Sequence, residues 1–250
     1  MTRPYYHSAL FFGWKDEPTF RGHIRDMLLE LKTLQGSFTG DNLITFDKNL
    51  SFLSDEVFMT AFERHAQTKV EKGILWRTAT LAWAAKNALR LSGDFVECAC
   101  YKGTTARILC DYLDFGSQAQ RTYYLYDLFE HDPSMPHHHM EEHGAGLYEA
   151  VKARFSDLEN VVITRGRVPD SFVEAAPDAI AFLHLDLNNA EAETAVLEAL
   201  FDRVVPGAAI VLDDYGWLFY RAQKLAHDAW FDARGYSVLE LPTGQGLVIK

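Results

Sequence analysis

The chain has 250 residues, 48% of them hydrophobic and 24% charged, enough to bury one large core or a core with an added subdomain. Thirty-five acids against 24 lysines and arginines leave a formal net charge of -11, which argues against general attraction to nucleic acid or an anionic membrane and favours a small-molecule partner. No apolar run approaches the roughly 20 residues of a membrane span, and the short apolar patch before Trp14 does not make a signal sequence, so a cytoplasmic location is expected.

The first third reads as helical. TFRGHIRDMLLELKTL, SDEVFMTAFERHAQ with Ser54 as cap, and ILWRTATLAWAAKNALRL carry apolar residues at helical spacing; the polar, Gly-rich GSFTGDNLITFDKNLS joins the first two. Residues 1–92 are read as a helical lid or dimerisation region, and residues 93–250 as the catalytic domain. Trp76, Trp83 and Trp230 fall on apolar helix faces and are expected in the core.

From Asp94 the texture changes to short β-rich runs, DFVECAC, TYYLYDL, NVVITR, AIAFLHLDL and AAIVLDD, separated by helical stretches. This alternation predicts parallel strands linked by crossover helices. After a last helix, YRAQKLAHDAWFDARG, the runs YSVLELP and GLVIK flank Thr243, Gly244 and Gln245, so the sheet should end in an antiparallel hairpin. The expected fold is α/β: a Rossmann-like, class I methyltransferase three-layer sandwich with a mostly parallel seven-stranded sheet.

In open α/β sheets ligands bind beyond the carboxyl ends of the strands. Those ends here hold Glu97 to Gly103, Asp127, Gly166 with Arg167, Asp186, and the pair Asp213–Asp214. Adjacent carboxylates repel and raise one another's pKa unless cations or donors compensate, so AIVLDDYG suggests a cationic ligand. In VECACYKGTTARIL, Gly103 and two threonines open a helix whose N-terminal N–H groups suit an anionic group. Asp127, one βα unit later, is placed for the two ribose hydroxyls of an adenosine. Cys98, Cys100 and Cys110 are read as reduced, buried thiols, there being no second cysteine pair to complete a zinc site.

Taken in order, GDFVECACYKG, YDLFE, LHLDLN, VPGAAIVLDDYG and LPTGQGLVIK resemble the TylF/macrocin O-methyltransferase family over about residues 93–250. The resemblance implies an S-adenosylmethionine-dependent enzyme that methylates a hydroxyl of a sugar, glycosylated metabolite or similar small molecule. It implies that Glu97, Ala99, Tyr101, Gly103, Thr104 and Thr105 hold the methionine part of the cofactor and Asp127 its ribose; Gly166 and Arg167 complete the candidate cofactor set. It also implies a divalent cation, Mg²⁺ or a similar ion, on Asp186, Asp213 and Asp214, and a homo-oligomer. Ala99 stands where relatives often carry glycine, and Asp186-Leu187-Asn188 where many carry Asp-x-Asp.

The proton acceptor is Asp186 or a histidine of the irregular segment 131–143, which holds His131, His137, His138, His139 and His143. Pro133 and Pro136 make that segment a loop, read as solvated or brushing the substrate rather than as a zinc centre. His184 reads as a core histidine, and Tyr215 and Trp217 as pocket-lining residues. Two other functions compete: a nucleotide-binding oxidoreductase, which would need a glycine triplet that the first turn lacks, and a non-catalytic S-adenosylmethionine-binding protein.

Overall fold

The computed structural model describes residues 5–31, 35–131 and 140–250. The last three positions of the first expected helix, and His137, His138 and His139 with Pro133 and Pro136, lie outside the described residues. Contacts divide the chain into two compact units, Met1–Ala79 and Thr80–Lys250. Among the described residues no helix is long and apolar enough to cross a membrane.

The first unit holds helices α1 (Glu17–Glu30), α2 (Glu56–His65) and α3 (Lys69–Gly73), and the first residues of α4 (Leu75–Ala88). Asp16 caps α1 by accepting from Thr19 N; at α2 the cap is Asp55, one residue after the expected Ser54. The unit is not purely helical. Strand β1 (Tyr5–His7) pairs parallel with β2 (Ser37–Gly40), which turns back on β3 (Leu43–Thr45), so the stretch expected to be a plain connection contains a β-hairpin. Its Asp41 and Asn42 both take positive φ, 52° and 58°, the two-residue turn that matches strand twist. Arg77 holds Asp41 with Nε at 2.6 Å from Oδ2 and Nη2 at 3.0 Å from Oδ1.

The second unit is a seven-stranded sheet. Its strands are β4 (Asp94–Cys98), β5 (Tyr123–Asp127), β6 (Val161–Arg165), β7 (Ile180–Leu185), β8 (Val204–Leu212), β9 (Leu239–Glu240) and β10 (Gly246–Ile249). They lie in the order β6-β5-β4-β7-β8-β10-β9; β4 to β8 pair parallel, and β10 runs antiparallel to both its neighbours. The connecting helices are α5 (Thr104–Tyr112), α6 (Leu147–Arg154), α7 (Ala190–Leu200) and α8 (Arg221–Asp232). This is the mostly parallel, hairpin-ended α/β sheet of class I methyltransferases.

Strand order advances one way from β4 to β6 and the other way from β7 to β8. Right-handed crossovers therefore put α5 and α6 on the opposite face from α7. The period of two bears this out. Val96, Cys98, Leu183 and Leu185 join the cluster of Val196, Leu197, Leu200 and Phe231 from α7 and α8. Phe95 and Phe182 instead pack together on the other side, with Phe115 and Tyr123. Reversal of strand order between β4 and β7 opens a crevice at their carboxyl ends, the usual ligand position in such sheets. Trp230 is buried as expected, but Trp83 is 53% exposed, because a helix covers the sheet with one face only.

Candidate active site

The crevice contains a cavity of about 200 Å³ whose lining includes Ala99, Tyr101, Asp127, Gly166, Arg167 and Asp186. Six of the sequence-predicted positions thus surround one space. Glu97, Gly103, Thr104 and Thr105 do not line it. Glu97 lies on β4 facing the α5 side, 3% exposed, accepting from the Tyr123 hydroxyl at 2.8 Å. Thr104 Oγ1 lies 3.3 Å from Arg154 Nη1, and Thr105 is half-buried at the second position of α5.

The turn after β4 is wound by alternate left-handed residues: Ala99 (φ 69°), Tyr101 (φ 49°) and Gly103 (φ 67°). Only at the third does glycine relieve the strain. A Cβ on Gly103 would meet Phe155 Cε2 at 2.7 Å, so glycine also permits close packing there. Non-glycine residues held at positive φ cost free energy and persist where surrounding contacts fix them, commonly at functional turns. Here the contact is Asp127. Its Oδ2 accepts from Tyr101 N at 2.7 Å, and its Oδ1 from Phe129 N at 2.6 Å. Burial pushes the Asp127 pKa up, while the Phe129 N–H and nearby His143 oppose the rise. His143 stands edge-on to Tyr101 with ring centroids 5.2 Å apart, and both His131 and His143 line the cavity.

Asp186, Asp213 and Asp214 come together at the ends of β7 and β8, where one ligand oxygen from each lies within 4.8 Å of the others. Parallel pairing sets this up: Leu185 is registered with Leu212, and Asp213 N donates to Leu185 O at 2.9 Å. Asp186 N in turn donates to Cys98 O at 3.1 Å. The donor set is all hard carboxylate oxygen, which fits Mg²⁺, Mn²⁺ or Ca²⁺. Asn188 lines the cavity beside Asp186, with Nδ2 3.5 Å from Asp186 Oδ1.

Two residues that the sequence reading placed elsewhere belong to this site. His184 is core, 2% exposed, yet it stands between carboxylates: Nδ1 is 3.7 Å from Glu97 Oε2 and Nε2 is 3.6 Å from Asp213 Oδ1. Burial pulls its pKa down, but Asp213 and Glu97 outweigh burial and hold it well above the ordinary histidine value. Gln245, fully buried, donates to Asp213 Oδ1 at 2.9 Å and has its own Oε1 fixed by the Thr243 hydroxyl. The only sequence signal for Gln245 was an amide inside an otherwise small-residue turn. Tyr215 does not line the cavity; it is 3% exposed, its hydroxyl bonded to Asp228 and its ring stacked on His227. All three cysteines are buried free thiols whose pKa values burial raises, so they are inert.

Solved structures share this fold. The chain is similar to the O-methyltransferase NovP, at 19% identity and TM-score 0.61 over 70% of this chain and 80% of that one. It is similar to the calicheamicin methyltransferase CalS11, at 14% identity and TM-score 0.57 over 96% and 95%. A second CalS11 structure, described as a TDP-rhamnose 3'-O-methyltransferase, gives 15% identity and TM-score 0.55 over 96% and 97%. At these identities the likeness is one of fold. No curated protein matches the chain significantly. The profile of macrocin-O-methyltransferase (TylF) matches residues 77–235, which takes in Glu97, Asp127, Asp186, Asp213 and Asp214 and stops short of the closing hairpin. With well over half its length matched, the chain belongs to the macrocin-O-methyltransferase (TylF) family of S-adenosylmethionine-dependent O-methyltransferases.

Proposed function

We propose that this chain methylates a hydroxyl of a sugar or glycosylated small molecule with the help of a divalent cation, Mg²⁺ in the first instance, held by Asp186, Asp213 and Asp214. The observation that carries the reading is the convergence of these three carboxylates beside a cavity that Asp186 also lines. The sugar substrate named for CalS11 supports a sugar acceptor here.

S-adenosylmethionine supplies an electrophilic sulfonium methyl group, and a divalent ion supplies Lewis-acid acidification of a hydroxyl. The remaining work falls to the chain. Each Asp127 oxygen accepts one backbone N–H and keeps a lone pair for a ribose hydroxyl. Ala99 and Tyr101, which line the cavity, form the methionine side of the binding turn, with Glu97, Gly103, Thr104 and Thr105 supporting it from outside the lining, and Gly166 and Arg167 line the same cavity for the rest of the cofactor. Asp186 belongs to both the cavity and the acid trio, which supports its carboxylate as the acceptor of the attacking hydroxyl's proton. His143 stands instead beside Tyr101 and Asp127, at the ribose end. The resemblance further supports a homo-oligomer, which light scattering on the purified protein checks.

Calorimetric titration with S-adenosylmethionine, followed by transfer assays on vicinal diols with Mg²⁺ or a chelator, tests the reading. No cofactor binding ends it. Full transfer by Asp213→Ala in chelator removes the metal and leaves only the methyl transfer.

A further inference from the structure

Glu193 sits in the first turn of α7, where an acid ordinarily faces solvent and complements the helix dipole, as exposed Glu191 does. Glu193 is instead 1% exposed. The helix has no need of it as a cap, because Asn189 Oδ1 already accepts from Ala192 N at 2.9 Å. Its carboxylate is aimed elsewhere. Oε1 accepts from Leu187 N at 3.0 Å and from Gln223 Nε2 at 2.9 Å, and Oε2 lies 3.0 Å from His227 Nε2. Gln223 and His227 are themselves 3% and 0% exposed. Burying a carboxylate is costly unless polar partners meet it, and two hydrogen-bond donors with the His227 imidazole nitrogen 3.0 Å away make this a built cluster.

The contacts run to both arms of the acid trio. Leu187 follows Asp186 directly, so its N–H bond to Glu193 fixes the peptide that orients Asp186; the next residue, Asn188, takes φ 55°. On the other arm, the His227 ring lies parallel to Tyr215 with centroids 6.3 Å apart, and Tyr215 follows Asp214 directly. One carboxylate therefore braces the turn after β7 and the turn after β8 from beneath. We propose that Glu193 is the positioning residue of the cation site, holding Asp186 in register with Asp213 and Asp214. This rests on the metal reading given under Proposed function. Partners behind metal ligands commonly contribute tenfold to a hundredfold in affinity.

Mn²⁺ binding, followed by loss of the electron paramagnetic resonance signal of the aqueous ion, tests this in wild type, Asp213→Ala, Glu193→Gln and His227→Gln, beside calorimetric S-adenosylmethionine binding. Glu193→Gln is expected to weaken Mn²⁺ about tenfold or more, and His227→Gln to weaken it less, while cofactor affinity stays within about twofold of wild type. Mn²⁺ affinity unchanged in a folded Glu193→Gln overturns the inference and leaves the metal reading standing, provided Asp213→Ala still abolishes binding. An equal drop in cofactor affinity also overturns it, because that marks general damage. Should Glu193→Gln not fold, His227→Gln decides by the same criterion. A wild type that binds no Mn²⁺ overturns the metal reading and the inference together.

Discussion

Gln245 and Asp213 meet across the antiparallel edge of the sheet: the amide of one donates to the carboxylate of the other at 2.9 Å, both side chains out of water. The hairpin that closes the sheet thereby reaches the acid trio. Gly244 allows the approach, since a Cβ there would lie 2.2 Å from Trp217 Nε1, and its carbonyl accepts from Gly216 N at 2.7 Å. Replacing Gln245 with Met keeps the volume but withdraws the donor from a buried carboxylate and the acceptor from Thr243. Urea unfolding should show a loss of about 1–3 kcal/mol, and a Mn²⁺ titration a weaker site.

His184 gives a pH dependence. A histidine whose folded pKa is raised contributes stability that is complete below the unfolded value, near 6.5, and is lost as pH rises through the folded value. Above about pH 6.5 the metal-free protein should therefore lose about 1.4 kcal/mol per pH unit from this group. The slope should vanish in His184→Gln, which also leaves Glu97 and Asp213 without the cation between them and so lowers stability at neutral pH. Chemical denaturation of both proteins from pH 6 to 9 measures this, and parallel curves would refute it.

The first turn makes opposite predictions at two positions. Gly103→Ala places a Cβ at φ 67° and against the Phe155 ring, and should cost about 1–3 kcal/mol with a fall in cofactor affinity. Ala99→Gly relieves φ 69° without adding an atom, and should be neutral or stabilising by up to about 1 kcal/mol. Thermal unfolding with and without S-adenosylmethionine separates the two.

Asp127→Asn keeps shape but turns one acceptor into a donor that faces the N–H of Tyr101 or Phe129. Cofactor affinity should fall about tenfold to a hundredfold, the range for losing hydrogen bonds to a charged group. Mn²⁺ affinity should hold, because Asp127 is not among the trio. Paired calorimetric titrations report both, and equal losses would count against separate cofactor and metal roles.

The amino-acid sequence by itself determined the α/β sheet and its hairpin, because period-two strands, helical crossovers and turn residues are local signals. It also placed acids at the strand ends, since where a strand stops is written in neighbouring residues. It did not reveal the hairpin within residues 37–45, whose Asp41-Asn42 turn lies in a stretch too polar to stand out. Tertiary structure decided which groups stand behind the acids. Glu97 and His184 become neighbours only through β4–β7 register, Gln245 reaches Asp213 only through β8–β10 pairing, and Glu193 meets His227 only when α7 packs on α8. Such partners lie up to 87 residues apart in the chain, as Glu97 and His184 do. Nothing local distinguishes a buried acid that braces a site from an exposed one that keeps a helix soluble, because the difference is made by long-range packing.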